Sequence, residues 1–413
     1  MQSHFKDLPR EISVLVAASF FVAVGFGIVL PAIPIFARTF GVNNAAIGLI
    51  ISMFAITRFA SGLISGKLVD LFGERAVFSS GVLMVAIFVL LAGMATSYHQ
   101  LLFFRAAGGL GSSMFSVAAG SVIMRSVDDE HRGRAQSVYN GAFLVGGVSG
   151  PAIGGLLSLI SLRAPFFAYS VMLIISGITA HFFLKGEKIG KREKDFDSSQ
   201  HTTVREALAM KPYRIALVLA FIVNWVVFGL RASIVPIFVT EVLHSTTAVV
   251  GYGFAISAIF QGALLMKGGR LSDLKGRRFA STIGSSIVLI GVIVLTLAVH
   301  PWMYLVAMSI IGVGGAYLST TPSSIVGDII RGRGGQVIAI FQMAGDAGMI
   351  VGPLIIGALS DIYSYRIAFA VSAVVFAFGT FITTRIPETR ESYLSGNEEK
   401  HQVYSLKPLD EEL

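Results

Sequence analysis

Four charged side chains sit where charge is costly. Arg58, Arg105, Arg231 and Asp346 each fall inside a run of mostly apolar residues. A charge in such a setting costs a few kcal/mol on insertion scales, so it needs a counter-charge, a wet cavity or a task. Asp346 is the only carboxylate this deep; Asp328, Asp361 and Glu241 lie near the ends of their runs. A carboxylate that alternates between an arginine neighbour and an apolar surround takes up and releases a proton. Proton coupling is therefore the chemistry read into Asp346, Arg105 and Arg58. Arg231, with Asn224, Trp225 and Asn140, supplies charge, amide groups and a flat apolar wall for a small-molecule substrate. For the last three, helix packing is the competing reading. Three arginines against one aspartate leave an excess of positive charge, so an anionic or zwitterionic substrate stands beside a neutral or cationic one.

Other chemistries find no residues. The chain has no cysteine, which removes thiol nucleophiles, thiolate metal sites and disulfides. No HExxH or Walker sequence occurs, so neither a zinc hydrolase nor ATP-driven transport by this chain alone is supported. Paired haem ligands and a deep Schiff-base lysine are also missing from the apolar runs. No enzyme activity, metal or cofactor is expected.

The elements that must hold these residues follow from composition. Of 413 residues, 54% are hydrophobic and 14% charged, with mean hydropathy +0.75. A soluble domain carries about 25% charge. These values exclude a soluble, disordered or disulfide-stapled chain and leave an all-α polytopic membrane protein. Twelve apolar runs long enough to span as helices lie near 12–37, 46–66, 76–96, 100–124, 136–160, 164–184, 213–239, 247–267, 279–299, 302–327, 337–360 and 366–386. The first is read as a retained helix rather than a signal peptide. They form two six-helix halves, 1–184 and 213–387, separated by a polar loop at 185–212 and followed by a charged tail at 388–413.

Charge sets the direction. With the N-terminus in the cytoplasm, the inner segments hold 26 of the 32 Lys and Arg residues. The outer loops hold 3, namely Arg38, Arg163 and Arg366. This asymmetry places both termini in the cytoplasm. It also accounts for the net charge of +8 without nucleic acid, leaving the bilayer, protons and a small molecule as partners, and a functional monomer in a bacterial plasma membrane as the expected form.

The two halves repeat. Phe26-Gly27 and Pro34-Ile35-Phe36 recur 202 residues later as Phe228-Gly229 and Pro236-Ile237-Phe238. GKLVDLFGER at 66–75 recurs 203 residues later as GRLSDLKGRR at 269–278. Gly146, Gly150, Pro151 and Gly155 recur as Gly348, Gly352, Pro353 and Gly357. The halves are thus copies in one orientation, an arrangement in which substrate binds between them and one rocks against the other. Residues that break the repeat are better site candidates. Arg58, Arg105, Arg231 and Asp346 have Gln261, Met308, Val29 and Leu144 as mates, all uncharged.

Across essentially its whole length the chain resembles the major facilitator superfamily, in its twelve-helix drug:proton antiporter branch. Segment 66–75, with Gly66, Asp70, Gly73 and Arg75, is similar to the family's loop signature, and Gly269, Asp273, Gly276 and Arg278 form its second copy. Arg105 with Gly109 and Gly111 is similar to the motif tied to proton coupling. Gly146, Gly150, Pro151, Gly154 and Gly155 are similar to the antiporter signature of the fifth span. The resemblance implies alternating-access, proton-coupled efflux of small amphiphilic molecules or drugs. Export or exchange of anionic metabolites and a non-transporting receptor or scaffold are the alternatives. The resemblance also implies that Asp70 meets the start of the eleventh span near Gln336, holding the inner face shut, with Asp273 in the equivalent place. Read bottom-up, Gly66 allows close helix approach and Gly73 a tight turn, whereas Asp70, Arg75, Asp273 and Arg278 can equally be plain loop charges. The spaced glycines of the fifth span serve helix packing, a transport role, or both. In the implied fold the second and eleventh spans are neighbours. Arg58 and Asp346 lie at similar depth, so an ion pair between the halves is geometrically open to them.

Overall fold

A computed structural model of the chain describes residues 9–126, 129–184, 202–319, 321–329 and 335–387. The expectations for 185–201 and 388–413 lie outside these residues. Among the described residues eleven helices are long and apolar enough to cross a membrane, and one bent pair makes a twelfth span. In chain order they are α1 (Arg10–Arg38), α2 (Asn44–Ala60, continuing as Gly62–Phe72), α3 (Glu74–Met94), α4 (Tyr98–Ser126), α5 (Asp129–Ile160) and α6 (Ala164–Phe183). Then follow α7 (Lys211–Val242), α8 (Thr247–Lys275), α9 (Arg277–Thr296), α10 (Pro301–Leu318, continuing as Thr321–Ile329), α11 (Gly335–Ile362) and α12 (Tyr365–Thr383). Because the spans alternate in direction, Pro9 and Thr383 end on one face, here the termini face. The loops after Arg38, Val242 and Ile362 lie on the opposite, far face.

Two points differ from the sequence reading. The second span does not stop near 66: the helix resumes at Gly62 after a 49° bend and runs to Phe72, so Asp70 is a helical residue. The polar stretch 185–212 is not all loop. Val204–Ala209 is a short helix capped by Thr203 and Glu206, each side chain bonding the other's backbone N–H. Ala207 buries there with Tyr213, Ile325 and Val337. The tight turns fall at Gly73 (φ 79°) and Gly276 (φ 95°), where a side chain would be strained.

Side chains from α1–α6, joined by Ile237 of α7, build one core, around Phe78, Phe115, Phe166 and Tyr169. A second, around Phe238, Tyr304, Phe369 and Phe376, belongs to α7–α12. Within each half, glycine brings backbones into contact. A Cβ on Gly146, Gly150 or Gly154 would collide with the α1 backbone near Phe20, Val24 and Ile28. The mates Gly348 and Gly352 sit likewise against α7 at Phe221, Trp225 and Gly229. Ile356, the mate of Gly154, is fully buried instead.

The extra residue between the repeat offsets 202 and 203 has a physical home. Thr246 and Asn43, which precede the first helical residues of α8 and α2, are 203 apart, whereas Phe238 and Phe36 are 202 apart. Between them Phe238–Val242 is π-helical, with the Leu243 N–H bonded to the Phe238 carbonyl. A π turn absorbs one inserted residue without breaking the span.

Candidate functional site between the halves

The halves touch closely toward the far face. A Cβ on Gly155 of α5 would strike Gly251 of α8, and one on Gly357 of α11 would strike Asn44 of α2. Gly155 and Gly357 are repeat mates, although Gly251 pairs in the repeat with Gly48 rather than with Asn44. Gly48 of α2 meets the Pro353 carbonyl, and the Ser52 hydroxyl donates to the Ile350 carbonyl at 2.6 Å. The five-residue signature therefore splits by contact. Gly146, Gly150 and Gly154 join α5 to α1, while Gly155 turns to the other half. Pro151 sits against Gly27 of α1.

Toward the termini face no glycine among the described residues brings the two halves into contact. Among the described residues, Gly62, Gly66, Gly120, Gly141, Gly269 and Gly327 have nothing within 4 Å of an added Cβ. The close approach expected at Gly66 is thus not made here. Beyond its bend the lower part of α2 packs only on α3 and α4 of its own half in any strength. Leu63, Leu71 and Phe72 are largely exposed, as is Asp70. Among the described residues neither Asp70, Arg75 nor Arg278 forms an ion pair. Asp273 lies on α8, its side chain outside the described residues. In the second copy the neighbouring arginine does the pairing: Arg277 Nε lies 3.0 Å from Asp328 at the end of α10, and its Nη1 donates to Ser272. Its repeat mate Glu74 accepts from Ser121 of α4 at 3.1 Å. These two mates of opposite charge were the signal, and motif matching passes over them.

Between these two regions lie the mid-span charges. Arg58 is fourteen residues below the start of α2 at Asn44, and Asp346 sixteen below the end of α11 at Ile362. At about 1.5 Å per residue these depths are roughly 21 and 24 Å. Arg58 Nε lies 4.0 Å from Asp346 Oδ2, across the two halves. Both remain solvent-accessible, at 30% and 18% of the side-chain surface. This is charge contact without a hydrogen bond, a looser arrangement than a bidentate clamp.

Just above, toward the far face, Phe26, Phe54, Phe228 and Met349 close the space with apolar surface. Phe26 stands 6.2 Å from both Phe54 and Phe228 and 6.4 Å from Tyr169 by ring centroids. The Arg105 guanidinium lies over the Phe54 ring at 4.5 Å and is almost fully buried, with no bonding partner for its Nε. In the other half Arg231, in the π-helical stretch Trp225–Ile234 of α7, lies 5.4 Å over Phe254 and donates to Ser257 at 3.2 Å. Its Nε also lacks a partner. Each half thus keeps a mid-span arginine on a phenylalanine ring, which compensates a desolvated cation in part.

The remaining candidates fare differently. Trp225 is buried in the core of its half, its Nε1 donating to Ser372 of α12. It is a packing residue and not a cavity wall. Asn224 bonds back to the Ala220 carbonyl at 2.9 Å beside Gly345 of α11. Asn140 lies on α5 with its side chain outside the described residues.

The sequence profile described as Major Facilitator Superfamily matches residues 15–240 and 217–409. The chain is 30% identical to the multidrug resistance protein MdtG of Dickeya zeae, over 93% of this chain and 97% of that protein. It is 25% identical to an uncharacterized MFS-type transporter of Methanocaldococcus jannaschii, over 89% and 95%. Among solved structures it superposes on a bacterial homolog of the human lysosomal transporter Spinster, inward-facing and unoccupied. The TM-score is 0.72 at 17% identity, covering 92% of this chain and 97% of that one.

Proposed function

The chain belongs to the major facilitator superfamily, and we propose that it is an alternating-access secondary transporter exporting small amphiphilic molecules in exchange for protons. The observation that carries this reading is the Arg58–Asp346 contact at 4.0 Å between the halves. A titratable group whose partner sits on the other rocking body changes its surroundings as the bodies move, which links protonation to conformation. The multidrug relatives support the export of amphiphiles. The charge asymmetry of the loops supports a cytoplasmic termini face in a bacterial plasma membrane. On that orientation the face held together by the contacts between the halves is the outer one.

Transport by purified protein in vesicles tests the proposal. An imposed pH gradient should drive flux of an amphiphilic cation or neutral dye, and Asp346→Asn should abolish it. Absence of pH-driven flux for every cation, anion and lipid probe would overturn it.

One observation favours a second reading. Arg105 is buried and Arg231 half-buried, and each has a buried Nε donor with no partner. Such groups suit the head of an organic anion, and the substrate would then be an anionic metabolite.

A further inference from the structure

The two halves are related by a pseudo-two-fold axis along the span direction, and residues near such an axis meet their own repeat mates. Phe26 and Phe228 do so at mid-depth, at 6.2 Å. Arg38 and Glu241 do so on the far face. They end α1 and α7 and are 203 residues apart, the offset that also relates Asn43 to Thr246. Identical charges there would repel. Opposite charges close the axis: Arg38 Nε lies 2.5 Å from Glu241 Oε1 and Nη2 lies 2.8 Å from Oε2, a bidentate pair.

Neighbours aim the pair. Arg38 Nη1 donates to the Val42 carbonyl at 2.7 Å, and Nη2 contacts Asn44 Oδ1 at 3.0 Å. The Tyr365 hydroxyl, at the start of α12, accepts from Arg38 and donates to Glu241. A second charge crosses nearby. Asp361, at the end of α11, takes the Asn44 and Ala45 N–H groups on its two carboxylate oxygens, at 3.0 and 2.8 Å. It therefore stands on the positive N-terminal end of α2, a helix of the other half.

We propose that Arg38–Glu241, steadied by Tyr365 and assisted by Asp361 on α2, is a latch that holds the far face shut and must release for that face to open. The pair is part-exposed, at 27% and 42% of the side-chain surface. Exposed pairs are weak and salt-sensitive. A latch of that strength biases the conformational equilibrium and leaves the cycle free to turn. The proposal does not depend on the identity of the substrate or on Asp346.

The cysteine-free chain permits a direct test. Ser52 is fully buried between α2 and α11 behind the latch, so Ser52→Cys reacts with maleimide only when those helices part. Ser170→Cys, buried inside the first half on the Ala86 carbonyl, is the control for general loosening. Glu241→Gln, Arg38→Gln and Asp361→Asn should each raise the Ser52→Cys labelling rate about fivefold or more, within the usual range of conformational coupling. The exchange Arg38→Glu with Glu241→Arg should restore the slow rate. With the latch unmutated, moving from low salt to about 1 M NaCl should accelerate Ser52→Cys, because the screening length falls to about 3 Å. That arm stands even where a variant fails to fold. Unchanged Ser52→Cys rates, a charge exchange as fast as the single changes, or equal acceleration of Ser170→Cys would overturn the latch.

Discussion

Arg58 and Asp346 face each other across the two halves at 4.0 Å, at nearly equal depth, and neither has a charged repeat mate. Their geometry gives attraction without a hydrogen bond, so each side chain is restrained by the other but not locked. A movement of one half against the other would alter this distance.

Loss of the carboxylate should uncouple transport from the proton gradient. With Asp346→Asn, pH-driven flux is expected to vanish while substrate counterflow continues, because the asparagine keeps the shape and cannot titrate. Counterflow and gradient-driven uptake in the same vesicles read the two separately. Full pH-driven flux in the mutant would remove Asp346 as the proton carrier.

The pair should also appear in stability. Removing one partner strands a charge in a low-dielectric surround, at a typical cost of about 3–5 kcal/mol, lowered here by solvent access. Arg58→Gln and Asp346→Asn should each lower the melting temperature in detergent, and the double change should cost less than their sum. A double-mutant cycle measures the coupling. Strict additivity would separate the residues and leave Arg58 free to act on substrate.

The architecture was legible because three signals agreed: apolar run length, the 26-to-3 charge asymmetry and the repeat. Side-chain facing was not. The depths of Arg58 and Asp346 follow from counting along helices, but their contact needs the rotation of α2 and α11, which hydropathy does not encode. Trp225 shows the reverse error. An indole in a span reads as a wall, yet its N–H finds Ser372 and the ring packs inward. The latch was missed for another reason. Arg38, Glu241 and Asp361 lie at span ends, where charge is cheap and topology already accounts for it. Only the repeat offset could have singled out Arg38 and Glu241.

The glycines of α5 should divide into two phenotypes. Gly150→Val forces α5 off the α1 backbone inside one half and should lower stability outright. Gly155→Val meets Gly251 across the halves, so the half survives and far-face closure is blocked. Its expected signature is near-normal melting with faster far-face labelling at Ser52→Cys. Equal losses of stability at both positions would make Gly155 an ordinary packing residue.

Asp70 is exposed and unpaired among the described residues in the conformation seen here, so Asp70→Asn should leave that conformation intact. If Asp70 serves the opposite state, by meeting α11 when the termini face closes, the change shifts the population toward termini-face opening. A cysteine at Gly62, where an added side chain meets nothing within 4 Å, should then label faster from that side. An unchanged rate together with normal transport would leave Asp70 a purely topogenic charge.

The sign of the substrate can be decided at Arg105 and Arg231. Both lie on phenylalanine rings with a buried, unused Nε, and no carboxylate among the described residues pairs with either. If an organic anion binds there, 1-naphthoate should raise the melting temperature of the parent protein. Arg105→Gln or Arg231→Gln should weaken that effect by about tenfold in concentration, the loss expected for one charge-assisted hydrogen bond. Arg105→Lys should recover little, because an ammonium lacks the flat face that lies on Phe54 and the Nε donor. Binding of tetraphenylphosphonium should instead persist or strengthen as positive charge is removed, and should weaken with Asp346→Asn. A protein that binds the cation through Asp346 and ignores naphthoate is an exporter of amphiphilic cations. Its two stacked arginines would then be parts of the helix scaffold, held by cation–π contact and, for Arg231, by the bond to Ser257.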